Sequence, residues 1–276
     1  MSILQDLTLG WQTDLIFARF DGEVIERSDC VVVRTPNNPL YYWGNCLILP
    51  EPPRDADLVH WCQRFDEEIV AQQPESAHIA IGFDARAPHE PLVGWHNAGF
   101  EVFGTVALRL RPQQLREPRR VLPAGINFRV MDLPLGMDAC VDLQCEVDGG
   151  FHNPASYREH RKRQMRRHQT MQEQGMGHWF GLWHERALVA DCGLFRAGTL
   201  GRFQMVGTHP AWRRRGLCAG LIHAVCRHGF EQMGLEELVI CADPNDVAIG
   251  IYEGLGFERD SRYWGAHKHP PALIGD

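Results

Sequence analysis

From His209 to Gly220 the chain reads His-Pro-Ala-Trp-Arg-Arg-Arg-Gly-Leu-Cys-Ala-Gly, where a strand-like stretch ends and a helical one begins. The first turn of a helix has N–H groups without intrahelical partners, and the helix dipole adds partial positive charge there. Anion binding, of phosphate above all, is the chemistry such a place supports. Gly216 would let a pyrophosphate approach the backbone, and small Ala219 and Gly220 would let the helix pack close to a sheet. Alone, the run reads better as a solvated basic turn before an amphipathic helix. A dinucleotide loop finds less support, because GxGxxG is absent. A second cluster follows after one strand-like stretch: Asn245-Asp246-Val247-Ala248-Ile249-Gly250-Ile251-Tyr252-Glu253-Gly254-Leu255-Gly256-Phe257. Asn245 could contact a ligand or cap a helix.

The elements that carry these residues form a mixed α/β pattern. A short strand is expected at 126–130, helices around 136–147 and 155–174, and strands at 178–183, 187–195 and 199–208. A helix then starts near Gly216 and stops near Met233-Gly234, with Leu217, Leu221, Val225 and Phe230 on one stripe. A strand at 237–242, a short helix from about 246 to 254 and a last strand at 257–266 complete a meander followed by a βαβ crossover. The first region shows strands at 30–34 and 41–49, a helix at 56–72, a strand at 78–83, a short helix near 91–98 and a strand at 101–110. Ala98-Gly99-Phe100-Glu101 answers Leu255-Gly256-Phe257-Glu258 at the same point of each order, which indicates a diverged tandem repeat. Two unrelated α/β pieces sharing a helix-ending glycine remain the plainer alternative. Between the regions, Arg111–Pro123 holds three prolines and a charge cluster and reads as a linker.

With 276 residues the chain has room for two domains and a sizeable core, and its 44% hydrophobic and 23% charged composition suits a globular protein. No apolar run is long enough to span a bilayer, and the start resembles no leader peptide. The formal charge of −7 argues against general nucleic-acid affinity. Residues 1–120 hold 11 arginines against 17 acidic residues, so the acidity lies in the first half. Only Lys162 and Lys268 are lysines; nearly every cation is a guanidinium, suited to gripping phosphate or carboxylate. Nine cysteines without a CxxC pair suggest buried thiols in a reducing cytoplasm. Fourteen histidines show no HxxxH spacing, and His267-Lys268-His269 reads as a lone tail pair, so no metal is expected.

Together the two clusters resemble the GNAT superfamily of N-acetyltransferases. Its first signature, Q/R-x-x-G-x-G/A, is met by Arg213-Arg214-Arg215-Gly216-Leu217-Cys218, with Cys218 where Gly or Ala is usual. Its second, N-x-x-A-x-x-x-Y-x-x-x-G-F, is met at Asn245, Ala248, Tyr252, Gly256 and Phe257. The resemblance implies two tandem GNAT-like domains, each a central mixed β-sheet flanked by helices. Residues 1–115 form a degenerate copy without the phosphate loop, with Leu49-Pro50-Glu51-Pro52-Pro53-Arg54 at that point; residues 124–268 form the complete copy. It further implies acetyl-CoA as cosubstrate, the backbone of Val206, Gly207 and Thr208 beside the pantetheine, and the amides from Arg214 through Leu217 and Cys218 to Ala219 around the pyrophosphate. Tyr252 would lie near the thioester sulfur, where a phenol of pKa about 10 can protonate a departing thiolate; a packed aromatic is the bland alternative. Cys218 reads as a tolerated small residue rather than a nucleophile.

The expected reaction is direct transfer of the acetyl group to a primary amine. The general base stays open among Asp191, Glu146, an ordered water and the acceptor's own free-amine fraction, because the glutamate some relatives use on strand four is here Arg202. Acceptor contacts are expected from about Cys145 to Tyr157, with Phe151, His152 and Tyr157 to watch, and from Phe203 to Met205. The run Tyr157–His168, with six Arg or Lys, reads as a solvated face. A monomer is favoured, with a dimer open. The alternative function is a non-catalytic acyl-CoA-binding or nucleic-acid-associated regulatory module.

Overall fold

A computed structural model describes residues 2–84, 90–150 and 153–270. Contacts divide the chain into one unit of Met1–Ala107 with Ser261–Asp276, and another of Leu108–Asp260.

The first unit opens with α1 (Ile3–Asp6) and α2 (Leu9–Asp21), which the sequence reading had passed over, and β1 (Glu23–Glu26). Then come β2 (Val31–Arg34), β3 (Cys46–Leu49), α3 (Leu58–Phe65), β4 (Ile79–Asp84), α4 (Val93–Asn97) and most of β5 (Glu101–Leu110). Its sheet runs β1-β2-β3-β4-β11-β5, where β11 (Glu258–Lys268) is the last strand of the chain. β3 and β4 are parallel, while β4 and β11 are antiparallel. Burial on both faces explains why β2 and β3 read as unbroken apolar runs, Val-Val-Val and Cys-Leu-Ile-Leu. Gly10 lets α2 rest on the ring of Tyr263, and Gly82 lets β4 take the ring of Trp11, so even a Cβ would collide at either place.

Two expectations for this unit need correcting. The strand expected at 41–49 is a strand only from Cys46; Tyr42–Gly44 is a 3-10 turn. Asn45 causes the bend: its amide donates to the carbonyls of Asn38 and Tyr41 at 2.9 Å, and its Oδ1 accepts from Thr35 N at 2.8 Å. The helix expected at 56–72 is split into a 3-10 turn at Asp55–Asp57, α3, and a π-helical turn at Asp66–Val70. That last turn places Glu68 against Arg27 at 2.8 Å and Arg64 at 3.2 Å.

The second unit contains β6 (Ile126–Met131), α5 (Leu133–Asp148), α6 (Pro154–Glu173), β7 (Gly177–His184), β8 (Ala187–Ala197), β9 (Leu200–Thr208), α7 (Leu217–Glu231), β10 (Glu237–Ala242) and α8 (Val247–Gly254). Its sheet runs β10-β9-β8-β7-β6, antiparallel from β6 to β9 and parallel between β9 and β10. Strand alternation sorts the faces. Asp191 on β8 lies beside Cys140 and Gln144 of α5, and its neighbour Cys192 lies beside Cys218 and Cys226 of α7. Hence α5 covers one face and α7 the other.

The basic run of α6 is not simply a solvated face. Gln164, Met165, Arg167, His168 and Met171 are buried, and the His168 ring stacks on Trp179 at 5.0 Å and Phe195 at 4.9 Å. Apolar burial holds the imidazole neutral, with its pKa pushed down to about 3. The segment expected to be a linker packs into this unit: Arg116 N donates to Leu255 O at 2.9 Å, and Leu122 presses on Gly220. The last strand, expected within 124–268, is grouped from Ser261 onward with residues 1–107. Among the described residues no helix is long and apolar enough to cross a membrane.

Candidate active site

The site begins with β9. β10 pairs with it over only three residues, Glu237–Val239 against Leu200–Arg202, which leaves the edge of β9 beyond Arg202 outside that register. On the other edge the pairing with β8 is bulged: Asp191 faces Gly207 and Gly193 faces Gln204, so Cys192 alone stands opposite Met205 and Val206. Met205 takes φ +51, a conformation costly for a side chain with a Cβ. The bulge falls at Met205 and Val206, after which Gly207 and Thr208 rejoin the ladder opposite Asp191 and Ala190.

Beyond Thr208, a 3-10 turn at Pro210–Trp212 leads into the arginines, all three exposed. Arg213 Nε donates to Thr208 O at 3.2 Å, and the Arg215 guanidinium lies 4.7 Å over the Trp212 ring. Arg214 and Gly216 both have positive φ, +63 and +81. Gly216 is the N-cap of α7, with no side chain capping it, so the N–H groups of Leu217, Cys218 and Ala219 form a donor set open to an anion. Arg120 adds a fourth guanidinium: its Nη1 donates to Arg214 O at 3.2 Å and its Cβ sits over Gly216. Arg120 lies in the segment expected to be a linker, and the charge cluster there is the sequence signal for its role.

Tyr252 projects inward from α8 and is 4% exposed, next to Phe257 with ring centroids 6.1 Å apart. Burial, then the neighbouring Cys218, Cys192 and Asp246, pushes its phenol well above the ordinary value. Cys218 is pushed up to about 12, chiefly by burial, so it stays a thiol and no nucleophile. Asn245 is exposed and does not cap α8; Asp246 does, accepting from Ala248 N at 2.8 Å. Asn245 N instead donates to Asp243 Oδ1 at 2.8 Å.

On the opposite face of the sheet Asp191 is fully buried. Trp179 Nε1 donates to its Oδ2 at 2.9 Å, and its Oδ1 would stand 3.2 Å from a Cβ at Gly207. Desolvation raises the carboxyl to about 7, against the opposing pull of the Trp179 hydrogen bond. Glu146 is exposed. Arg202 is buried on β9, with Nε donating to Phe203 O at 3.1 Å and Nη1 meeting Cys241 Sγ at 2.7 Å. Arg161, concealed in the basic run, reaches Met205 Sδ at 3.1 Å, Gln164 Oε1 at 2.6 Å and the Tyr157 hydroxyl at 2.6 Å. The i, i+4 spacing of Tyr157 and Arg161 was the sequence signal for that pair. Phe151 and His152 lie outside the described residues.

The corresponding place in the first unit is chemically opposite. After β3 the helical turn begins with Asp55 and Asp57, and Asp57 Oδ2 accepts from Arg54 N at 2.9 Å. Carboxylates at a helix start occupy the donors and repel an anion.

These features coincide with a family match. Residues 138–257, within the second unit, match the model of the acetyltransferase (GNAT) family. Across nearly the whole chain the fold is similar to three solved structures. A functionally unknown conserved protein from Staphylococcus epidermidis shares it at 15% identity, over 91% of this chain and 96% of that one, with a TM-score of 0.74. A GCN5-related N-acetyltransferase from Kribbella flavida shares it at 16% identity, over 97% and 98%, with a TM-score of 0.65. A tandem GNAT protein from the clavulanic acid biosynthesis pathway shares it at 15% identity, over 97% and 94%, with a TM-score of 0.56. The fold is thus the mixed β-sheet with flanking helices that these GNAT structures share. No curated protein sequence matches the chain significantly.

Proposed function

We propose that the chain is an acetyl-CoA-dependent N-acetyltransferase that carries the acetyl group directly to a primary amine, with the chemistry in the residue 124–268 copy and none in the residue 1–115 copy. The observation that carries this reading is the continuity of the unpaired β9 edge with the uncapped start of α7. An extended amide-bearing chain finds backbone partners along Val206–Thr208. Its diphosphate then meets the amides of Leu217, Cys218 and Ala219 and the guanidiniums of Arg213, Arg214 and Arg215. Asn245, at the entrance to α8, serves as a polar contact to the same ligand.

As the amine nitrogen bonds to the acetyl carbon and the C–S bond breaks, two protons must move. Tyr252 is protonated at neutral pH like any phenol, and burial raises it further and makes it a weaker acid. It donates a hydrogen bond to the departing sulfur as negative charge develops there, and the thiolate takes its proton from water on release. Asp191 takes the proton released by the amine: desolvation raises its carboxyl to about 7, so it holds a proton more readily near neutrality than an ordinary aspartate does. Exposed Glu146 has no comparable environment.

The deciding experiment is a thermal-shift titration with acetyl-CoA, longer acyl-CoAs and NAD. Saturation at about 100 times Kd adds roughly 2.7 kcal/mol of stability, and stabilisation by acetyl-CoA but not NAD is expected. With an acetylated amine in hand, Tyr252→Phe should lower kcat by roughly tenfold or more while leaving acetyl-CoA affinity nearly unchanged. No shift with any CoA ester would refute the cofactor assignment. Binding without turnover towards a broad amine panel would favour the regulatory module.

A further inference from the structure

His267 lies near the end of β11, and His269 follows one residue beyond the strand. In the sheet of the first unit β11 lies beside β5, whose first residue is Glu101. That pairing brings together three residues that no local spacing connects. His267 Nε2 is 3.5 Å from one carboxylate oxygen of Glu101, and His269 Nε2 is 3.6 Å from the other. The three donor atoms lie within 4.8 Å of one another.

From these distances we propose that Glu101, His267 and His269 bind one divalent transition-metal ion, with Zn2+ the best match to their chemistry. Ligands about 2.0–2.1 Å from a tetrahedral ion stand roughly 3.4 Å apart; each imidazole is near that distance from a different oxygen of Glu101, so the carboxylate reaches a shared ion by presenting both oxygens or by a small turn. Two imidazoles and a carboxylate suit a borderline ion such as Zn2+ or Co2+ and suit Mg2+ poorly.

The imidazoles are also held in orientation. Tyr42 hydroxyl lies 3.0 Å from His269 Nδ1, so an Nδ1–H there donates to the phenol oxygen and leaves the Nε2 lone pair facing Glu101. Tyr42 is braced in turn by stacking on His78 at 4.1 Å, whose Nε2 meets Asn45 O at 3.1 Å. His267 packs edge-on against Phe103 at 5.5 Å and Trp43 at 6.4 Å. Lys268, between the two histidines, faces away and sits 5.9 Å over the Phe100 ring, so its charge does not compete for the site. Glu101 at 61% and His269 at 48% side-chain exposure leave a fourth position open to water.

The alternative is a plain ion pair, which needs protonated histidines with rings 5.0 Å apart. Metal binding has the opposite pH dependence, because it needs both imidazoles neutral. The test is calorimetric titration of the tag-free, chelator-treated full chain with Zn2+ at pH 7.5 and 5.5, with Mg2+ as control and Co2+ for its visible spectrum. One Zn2+ per chain is expected, binding at least tenfold more weakly at the lower pH, with a tetrahedral Co2+ spectrum. Glu101→Gln and His269→Gln, both at exposed positions, should each weaken Zn2+ binding at least tenfold, and Tyr42→Phe by about tenfold through the lost orientation. Absence of binding at pH 7.5, or binding untouched by Glu101→Gln and His269→Gln, overturns the proposal.

Discussion

Asp191 and Tyr252 occupy opposite faces of one sheet, and burial acts on both in the same direction, towards the protonated form. For Tyr252 this keeps the hydroxyl as a hydrogen-bond donor and weakens it as an acid. For Asp191 it sets a switch near neutrality, with consequences for rate and stability that share one midpoint. Asp191→Asn should lower kcat/KM by roughly 10²-fold or more and abolish the rise in rate through pH about 7. Stability should move the other way. A carboxyl whose folded pKa is raised from 3.8 to about 7 binds its proton more tightly in the native state, so stability falls as pH rises across that window. The asparagine variant should therefore match the parent in melting temperature near pH 4 and exceed it near pH 8. Equal differences at both pH values would show that Asp191 does not titrate there. The sequence left Asp191 unranked because its face of β8 depends on the bulge opposite Met205, which no periodicity signals.

At the scale of elements, the start of α7 depends on backbone conformation as much as on charge. Arg214 and Gly216 hold positive φ, and Gly216 has Arg120 Cβ at 3.2 Å from where its own Cβ would be. Gly216→Glu adds strain, bulk and a negative charge at the donor set; acetyl-CoA affinity should fall by about 100-fold or more, given roughly 1–2 kcal/mol each for the conformation and the charge. Arg120→Ala should weaken binding more mildly, by about threefold to tenfold, with a reduced dependence on salt. Titrations at low and high ionic strength check both; an unchanged Arg120→Ala affinity would remove the linker from the site. The arginine run and the helix after it were legible because their signals lie within one turn of chain. Arg120 was not, since its approach depends on how Arg116 and Leu122 pack the segment against α8 and α7.

For the whole molecule, the two units carry opposite charges at a helix start, Arg213–Arg215 in one and Asp55 with Asp57 in the other. One acetyl-CoA per chain is therefore expected by calorimetry, and two would refute the assignment of the residue 1–115 copy as non-binding. What the amino-acid order determined by itself is whatever rests on neighbours in the chain: the alternation of strands and helices, the glycine–arginine turn, the Asn245–Phe257 cluster and the repeat of Gly-Phe-Glu before each final strand. Helical and strand periods, caps and turn residues act over a few residues, so they survive without knowledge of the fold. Tertiary structure alone decided the place of β11 beside β4 and β5, the meeting of Glu101 with His267 and His269, the inward turn of Arg161 and the burial of Asp191. Strand pairing and desolvation join residues far apart in sequence, and their energies depend on what lies across the sheet rather than on what comes next along the chain.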